Sequence, residues 1–356
     1  MSKESTKRSP KSPKENFLKY SIGVDISMDS FDVCIGMIND QQEVKIIGTR
    51  KFLNQPKGFT QFLAWVKAKC KWNLEVCYSM EATGVYYESL AWFLHRQDFY
   101  ISVVLPSKAR KFMQMLGLKS KNDKIDSIGL AKMGAVQRLK RWHAPDEMFL
   151  QLRSLSRHRQ SLQETRTVFS NQLHSVQHRE FVEPFLVNQL KSMMDQLDLR
   201  IKEAEKEMRR IVALKPEMMA RIEKITAIKG VGFISAITVL AETEGFNLFE
   251  NQRQLVSFAG YDIVESSSGK HVGKTRISKK GNAHIRRILH MPGFCVVKNQ
   301  EPAFKALYER VYEKTRIKMK AYVAVQRKLL VLIYTLWKNG QDYIPVLPAK
   351  LAPILC

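Results

Sequence analysis

The sequence predicts three parts in order: an α/β domain on a mixed sheet, a helical coiled-coil region, and a mostly α-helical C-terminal domain. Three features carry that prediction. Three strand-like runs in meander near the start give way to alternating helix and strand patterns, which is how an α/β layer with a mixed sheet is written. From Leu190 to Ile211 apolar residues recur at spacings of four and three, a sustained heptad seam. Past residue 216 the apolar spacing is mainly helical and includes the Lys229-Gly-Val-Gly232 turn of a helix-hairpin-helix type.

Within the first part, Ile22, Val24 and Ile26 alternate with smaller residues. Phe31, Val33, Ile35 and Met37 repeat the two-residue period after Ser27 to Ser30 reverses the chain. Residues 43–52 form a third strand, and Pro56 opens a helix with Phe59, Phe62, Leu63, Val66 and Cys70 on one face. A strand over 74–80, a helix over 85–95, a short strand over 100–105 and a helix over 107–116 follow.

Four carboxylates stand out in this domain. Asp25 interrupts an otherwise apolar strand, where a charge is costly unless it is paired or holds a cation; taken alone, the two readings are balanced. Glu81 closes a strand at the turn Glu81-Ala-Thr-Gly-Val-Tyr86. Asp123 and Asp126 stand three apart at a helix start, about 60° and about 4.5 Å from each other, so both can face one ion. Asp123 alone also suits a helix cap, but capping accounts for only one of the two. Hard oxygen ligands on rigid elements are what a site for two Mg²⁺ ions in phosphoryl transfer requires.

The stretch from Pro145 to Leu214 is helical and interrupted at Pro184. Its seam of Leu190, Met194, Leu197, Ile201, Ala204, Met208 and Ile211 fits either an intramolecular helical hairpin or a dimer, and the regular spacing favours the dimer. Further on, Glu265 to Arg287 is a Ser/Gly-rich loop running into a basic cluster of Lys270, Lys274, Arg276, Lys279, Lys280, Arg286 and Arg287, a phosphate-contacting composition.

The chain's net charge of +24 and pI near 9.8 point to a polyanionic partner, nucleic acid before membrane. The most apolar late segment, 322–337, is broken by Gln326, Arg327 and Lys328, too short a run for a spanning helix. Met1 to Lys14 has no apolar core, so no signal peptide is expected, and residues 1–18 are expected to be a disordered basic tail. Five dispersed cysteines fit a reducing compartment, and His174 and His178, though four apart, lack nearby partners for a zinc shell.

Gly-Val-Asp25-Ile-Ser, Glu81-Ala-Thr-Gly-Val-Tyr and Lys121-Asn-Asp123-Lys-Ile-Asp126 resemble the Asp-Glu-Asp-Asp set of the insertion-sequence transposases related to the Piv pilin-gene invertase. Phe-Ala-Gly-Tyr, Ser-Gly, Ile-Ser-Lys-Lys-Gly-Asn and Arg-Arg-Ile-Leu-His-Met-Pro follow in the order of that family's C-terminal domain. The resemblance spans residues 20–340, and the tail before Lys19 has no counterpart in it.

It implies a RuvC/RNase H-like catalytic domain over 19–142, a coiled-coil region over 143–215, a transposase domain with a serine loop over 216–340, and a C-terminal tail over 341–356. By that resemblance the protein is a bacterial, cytoplasmic DNA recombinase, nucleoid-associated when bound to DNA. It would act as a dimer or tetramer on donor and target DNA, guided by a structured bridge RNA, with no membrane partner. Asp25, Glu81, Asp123 and Asp126 would hold Mg²⁺ at a composite site where a loop serine attacks the phosphate. The family's serine matches a triple, Ser266-Ser-Ser268; Ser268, directly before Gly269, is the first choice, then Ser267, with Ser266 and Ser278 behind. Two rival readings are a RuvC-like junction nuclease that uses water and a non-catalytic nucleic-acid scaffold.

Overall fold

A computed structural model describes residues 16–71, 73–117, 123–264, 267–268, 271–272 and 276–345, with the side chains of 265–275 outside the description. Most of the expected N-terminal tail, and the C-terminal tail beyond 345, lie outside the described residues. The first strand begins at Phe17, inside the stretch expected to be disordered. The chain divides into two compact units, 1–144 and 145–356.

The first unit holds a five-stranded sheet of β1 (Phe17–Ile26), β2 (Ser30–Asn39), β3 (Val44–Leu53), β4 (Glu75–Glu81) and β5 (Tyr100–Val104), in the order β3-β2-β1-β4-β5. The β1–β2 and β2–β3 pairs are antiparallel, and β4 and β5 add in parallel to β1. This mixed α/β layout is the predicted fold class of the first domain. Four helices accompany the sheet: α1 (Pro56–Lys69), α2 (Glu88–His95), α3 (Pro106–Met115) and α4 (Asp123–Val136).

Strand periodicity divides the residues of β1 between two faces. Tyr20, Ile22, Val24 and Ile26 pack with Phe59, Phe62, Leu63 and Val66 of α1 and Leu90 and Leu94 of α2 in one core. Phe31, Phe52 and Phe62 meet at ring separations of 5.5 to 5.6 Å within it. The other parity, Ser21, Gly23 and Asp25, is small or polar, and it lies under α4. A Cβ on Gly23 would fall 2.1 Å from the Ser127 carbonyl oxygen and 2.2 Å from the Ala131 nitrogen. One on Gly134 would fall 2.3 Å from Ser79 Oγ and 2.5 Å from Ser21 Oγ. The absence of side-chain bulk lets the helix rest almost on the backbone of the sheet. Lys19 Nζ, donating to the Gly134 carbonyl at 2.9 Å, fastens its far end.

The second unit opens with two long helices, α5 (Glu147–Gln177) and α6 (Pro184–Ala213). Asp146 and Glu183 cap them by accepting from the backbone amides of Met148 and Phe185. The seam lies within the chain: Leu190, Ile201, Ala204, Met208 and Ile211 are buried where α6 packs on α5. Arg166 grips Asp198 at 2.5 and 2.9 Å, and Arg159 meets Glu205 at 2.6 Å across the same pair. The structure therefore corrects the dimer reading of this seam. The heptad spacing was equally compatible with a partner 30 residues away, and the turn over 178–183 lets α6 fold back to supply it.

Beyond the hairpin come α7 (Pro216–Thr226), α8 (Phe233–Thr243), α9 (Gln252–Ala259), α10 (Ala283–Ile288), α11 (His290–Lys298), α12 (Pro302–Thr315) and α13 (Lys318–Asn339). They share one apolar core with Phe149 and Leu152 of α5 and Met208 and Ile211 of α6, so the hairpin and the C-terminal helices form a single compact unit. Gly230, between α7 and α8, has φ of +115° and would set a Cβ 2.8 Å from that of Cys295, so turn and packing both require glycine there.

Between α9 and α10 the chain forms a β-hairpin stem of β6 (Ile263–Val264) and β9 (Arg276–Ile277), topped by β7 (Ser267–Ser268) paired with β8 (His271–Val272). No helix among the described residues is long and apolar enough to cross a membrane.

Candidate active site

The small-residue face of the sheet places the four carboxylates. Because side chains alternate, Asp25 shares a face with Ser21 and Gly23, and Glu81 shares one with Ser79, so both acids emerge on the side that α4 covers. Gly23 meets Ser127 and Ala131 while Ser21 meets Gly134, so α4 runs antiparallel to β1 and its first turn overhangs the end of the strand where Asp25 stands. That turn carries Asp123, exposed, and Asp126, half-buried.

The electrostatics of Asp25 register the convergence. Burial, and then the charges of Asp126, Asp123, Glu81 and Asp32, push its carboxyl from 3.8 up to about 7. Asp32 is a fifth acid that the sequence reading missed: it lies directly across from Asp25 in the β1–β2 register, with Lys51 at 3.5 Å. Period-two alternation in β2 together with a tight β1–β2 turn was the available signal. No ion pair to Asp25 occurs among the described residues.

The donor set is wholly oxygen, charge-dense and carried mainly by strands and a helix, which fits a hard divalent cation. Its spacing is open: among the described residues no three His, Cys, Asp or Glu stand close enough together to enclose one ion. Where Asp25 and Glu81 come from the sheet and Asp123 and Asp126 from α4, a cation between them would meet acids from two layers.

Asn54 was also missed. Its Nδ2 donates to the carbonyls of Ser27 at 3.0 Å and Tyr86 at 3.1 Å, tying the turn after Asp25 to the turn after Glu81. Thr83 Oγ1 reaches Glu81 Oε1 at 3.4 Å from within the second turn.

In the second unit, Ser267 and Ser268 occupy β7 at the end of the β-hairpin; Ser266, Lys270 and Lys274 lie outside the described residues. Ser278, at the root of the stem, is bound to Asp262, its Oγ donating at 2.5 Å. Of the expected basic residues, Arg276, Lys279 and Lys280 are exposed. Arg286, part-buried, donates to the Ala259 carbonyl at 2.9 Å and the exposed Arg287 pairs with Glu164 of α5, so both already have partners within the chain. His174 and His178 stack at 4.2 Å between ring centroids and gather no third ligand among the described residues.

Two family models match the chain. One, described as a transposase of the DEDD IS110 type, covers residues 22–181, and the other, described as the transposase of the IS116/IS110/IS902 family, covers 222–309. The chain is 24% identical over 326 residues to the pilin gene-inverting proteins of Moraxella bovis and Moraxella lacunata, spanning 91% of this chain and 98% of each of those. Over 124 residues, 34% of either chain, it is 29% identical to the transposase for insertion sequence element IS1111A of Coxiella burnetii. Among solved structures, Thermus thermophilus RuvC aligns with 35% of this chain and 99% of its own at 10% identity and a TM-score of 0.27.

The family models and the pilin gene-inverting relatives place the chain among DNA-rearranging enzymes of the transposase and recombinase class. Both halves match a single family in order, and the chain belongs to the IS110-type insertion-sequence transposases.

Proposed function

We propose that this recombinase cleaves and rejoins donor and target DNA through a phosphoserine link, at a composite site formed by Asp25, Glu81, Asp123 and Asp126 together with a loop serine, Ser268 first. The observation that carries the first half is Asp25 itself, on the face of the sheet that α4 covers, a carboxyl pushed to about 7 by burial and by the charges of Asp126, Asp123, Glu81 and Asp32. Such a cluster suits Mg²⁺, two ions by the number of ligands. Bound there, they would supply Lewis-acid stabilisation of the transferring phosphoryl group.

The chain's own residues do the rest. The sheet and α4 hold the acids on rigid backbone, and Asn54 keeps the two flanking turns together. The serine Oγ loses its proton and forms a bond to phosphorus. The bond from phosphorus to one strand oxygen breaks, and that oxygen leaves with a proton. Attack by a strand hydroxyl on the phosphoserine reverses the exchange and rejoins DNA, so the phosphodiester energy is conserved. Exposed Arg276, Lys279 and Lys280 beside the β-hairpin stem suit the DNA backbone. A structured guide RNA and a dimeric or tetrameric assembly complete the reading; they rest on the family resemblance and on a net charge of +24, enough for two nucleic acids.

The test is a denaturing gel of the protein after incubation with donor and target DNA, Mg²⁺ and its copurifying RNA. A covalent protein–DNA band is expected, lost in Ser268→Ala and in Asp25→Asn while DNA binding persists. A band lost instead in Ser267→Ala moves the nucleophile by one residue. Strand cleavage with no band at all returns the protein to a nuclease that uses water, and sequencing the copurified RNA decides the guide.

A further inference from the structure

The serine-bearing β-hairpin is gripped at its root. Ser278 donates its backbone N–H to the Asp262 carbonyl at 2.8 Å, Lys279 to that of Gly260 at 3.1 Å, and Asn282 to that of Phe258 at 2.7 Å. Gly281 leaves no space for a side chain: a Cβ there would fall 2.3 Å from the Phe258 oxygen. These bonds fix the root against α9. A second set of bonds ties it to an element more than a hundred residues earlier in the chain.

Asn282 uses both ends of its amide. Its Oδ1 caps α10 by accepting from Ile285 N at 3.1 Å, and its Nδ2 donates to Glu242 Oε2 at 2.7 Å. Glu242, at the end of α8, is only 2% exposed. It is held from the far side by Arg157 of α5, whose Nε and Nη2 reach its two oxygens at 2.8 and 2.9 Å. The same face of α5 adds Ser156 to Thr238 at 2.8 Å and Gln160 to His284 at 2.7 Å.

Burying the Glu242 carboxylate is a poor way to gain stability, because its desolvation offsets much of the attraction to the half-exposed Arg157. What it supplies is a fixed geometry, since each bond has one acceptable length and direction. We infer that Arg157, Glu242 and Asn282 are positioning residues for the recombination reaction: through them helix α5 of the long hairpin sets where the root of the serine-bearing β-hairpin sits. The inference rests on the proposed role of that β-hairpin. None of the three residues is assigned contact with the reacting atoms.

Asn282→Ser separates the two tasks of the amide. Serine caps a helix as well as asparagine does but cannot reach Glu242. With full-length protein, its RNA and DNA, this variant is expected to keep its unfolding midpoint within a few degrees and its DNA binding within about twofold, while DNA cleavage and the covalent band both form at least about tenfold more slowly. Arg157→Lys, at a half-exposed side chain, keeps the charge and loses the fork; it tests the same bridge without touching the α10 cap, and the same slowing is expected. Asn282→Asp faces Glu242 with a like charge, and adding Glu242→Gln restores a donor opposite that acceptor. The double variant is expected to recover most of the rate lost in the single one, which a merely stabilising pair would not require.

Wild-type rates in both Asn282→Ser and Arg157→Lys overturn the inference. So does a double variant no faster than Asn282→Asp. If wild-type protein cleaves DNA without a covalent band, the serine reading fails while the bridge is still judged, on cleavage rate alone.

Discussion

Each unit buries acids, and the two treat them in opposite ways. In the second unit Glu242 is met by Arg157 and Asn282, and Glu244 by Arg153 at 2.9 Å. Burial raises the Glu242 carboxyl, but those hydrogen bonds and the Arg157 charge outweigh burial and hold it below the ordinary carboxylate range. In the first unit Asp25 is surrounded by its own kind and pushed up to about 7. On the proposed reading, the second unit meets its buried acids with its own arginines, whereas the raised Asp25 is left for a cation from outside.

The largest test of that contrast is functional. Asp25→Asn should lower strand cleavage by at least about a hundredfold while salt-dependent DNA binding persists, because the amide keeps the shape and loses the charge. Glu242→Gln changes no proposed ligand. Besides the slowing expected of a positioning residue, it should cost about 2 kcal/mol in unfolding by weakening charge-assisted bonds, whereas Asp25→Asn should raise the melting temperature at pH 8 by removing repulsion. Calorimetry of the two variants side by side checks the opposite signs; a destabilised Asp25→Asn protein would break the comparison.

Gly23→Ala comes next. Its Cβ would land on the Ser127 carbonyl, so α4 must shift, at a cost of about 1 to 3 kcal/mol and with slower cleavage, although no charge is altered.

The pH dependence sharpens the same contrast. Asp25 binds its proton more tightly folded than unfolded, so its contribution to stability is present at low pH and is lost as pH rises from 3.8 to about 7. Glu242 is depressed in the folded state, so its contribution is present above the ordinary carboxylate value of 4.5 and is lost as pH falls through the folded value. Denaturant midpoints across pH 3 to 9 should therefore lose the decline between about pH 4 and 7 in Asp25→Asn, and lose the decline below the ordinary carboxylate value in Glu242→Gln. The smallest effect belongs to the solvent-screened Arg166–Asp198 pair of the hairpin: Arg166→Ala should leave the denaturant midpoint close to that of the wild type.

Much of the first unit was legible because strand alternation is a local signal. The meander, the helix from Pro56 and the two acids of α4 fall where their periods place them. Asp32 was not singled out because an acid in an alternating strand reads as a solvent-side residue until its partner across the ladder is known. The heptad seam shows the limit from the other side: Leu190 to Ile211 specify an apolar stripe but not whose, and Arg166 and Asp198, 32 residues apart, settle it within the chain. Likewise the pairing of Arg157 with Glu242 depends on a fold-back across 85 residues that no local pattern encodes.

Where Gly23 meets Ser127 and Ala131, and Gly134 meets Ser21 and Ser79, the jaw that carries the acids is set by missing mass. A saturation screen for lost recombination would therefore flag residues 23 and 134 alongside the acids, although neither supplies an ionisable group. Reading such a screen as a map of chemistry would place catalysis in the wrong atoms; sorting its hits by side-chain volume, rather than by polarity, would separate the gauge that sets the opening from the groups that work within it.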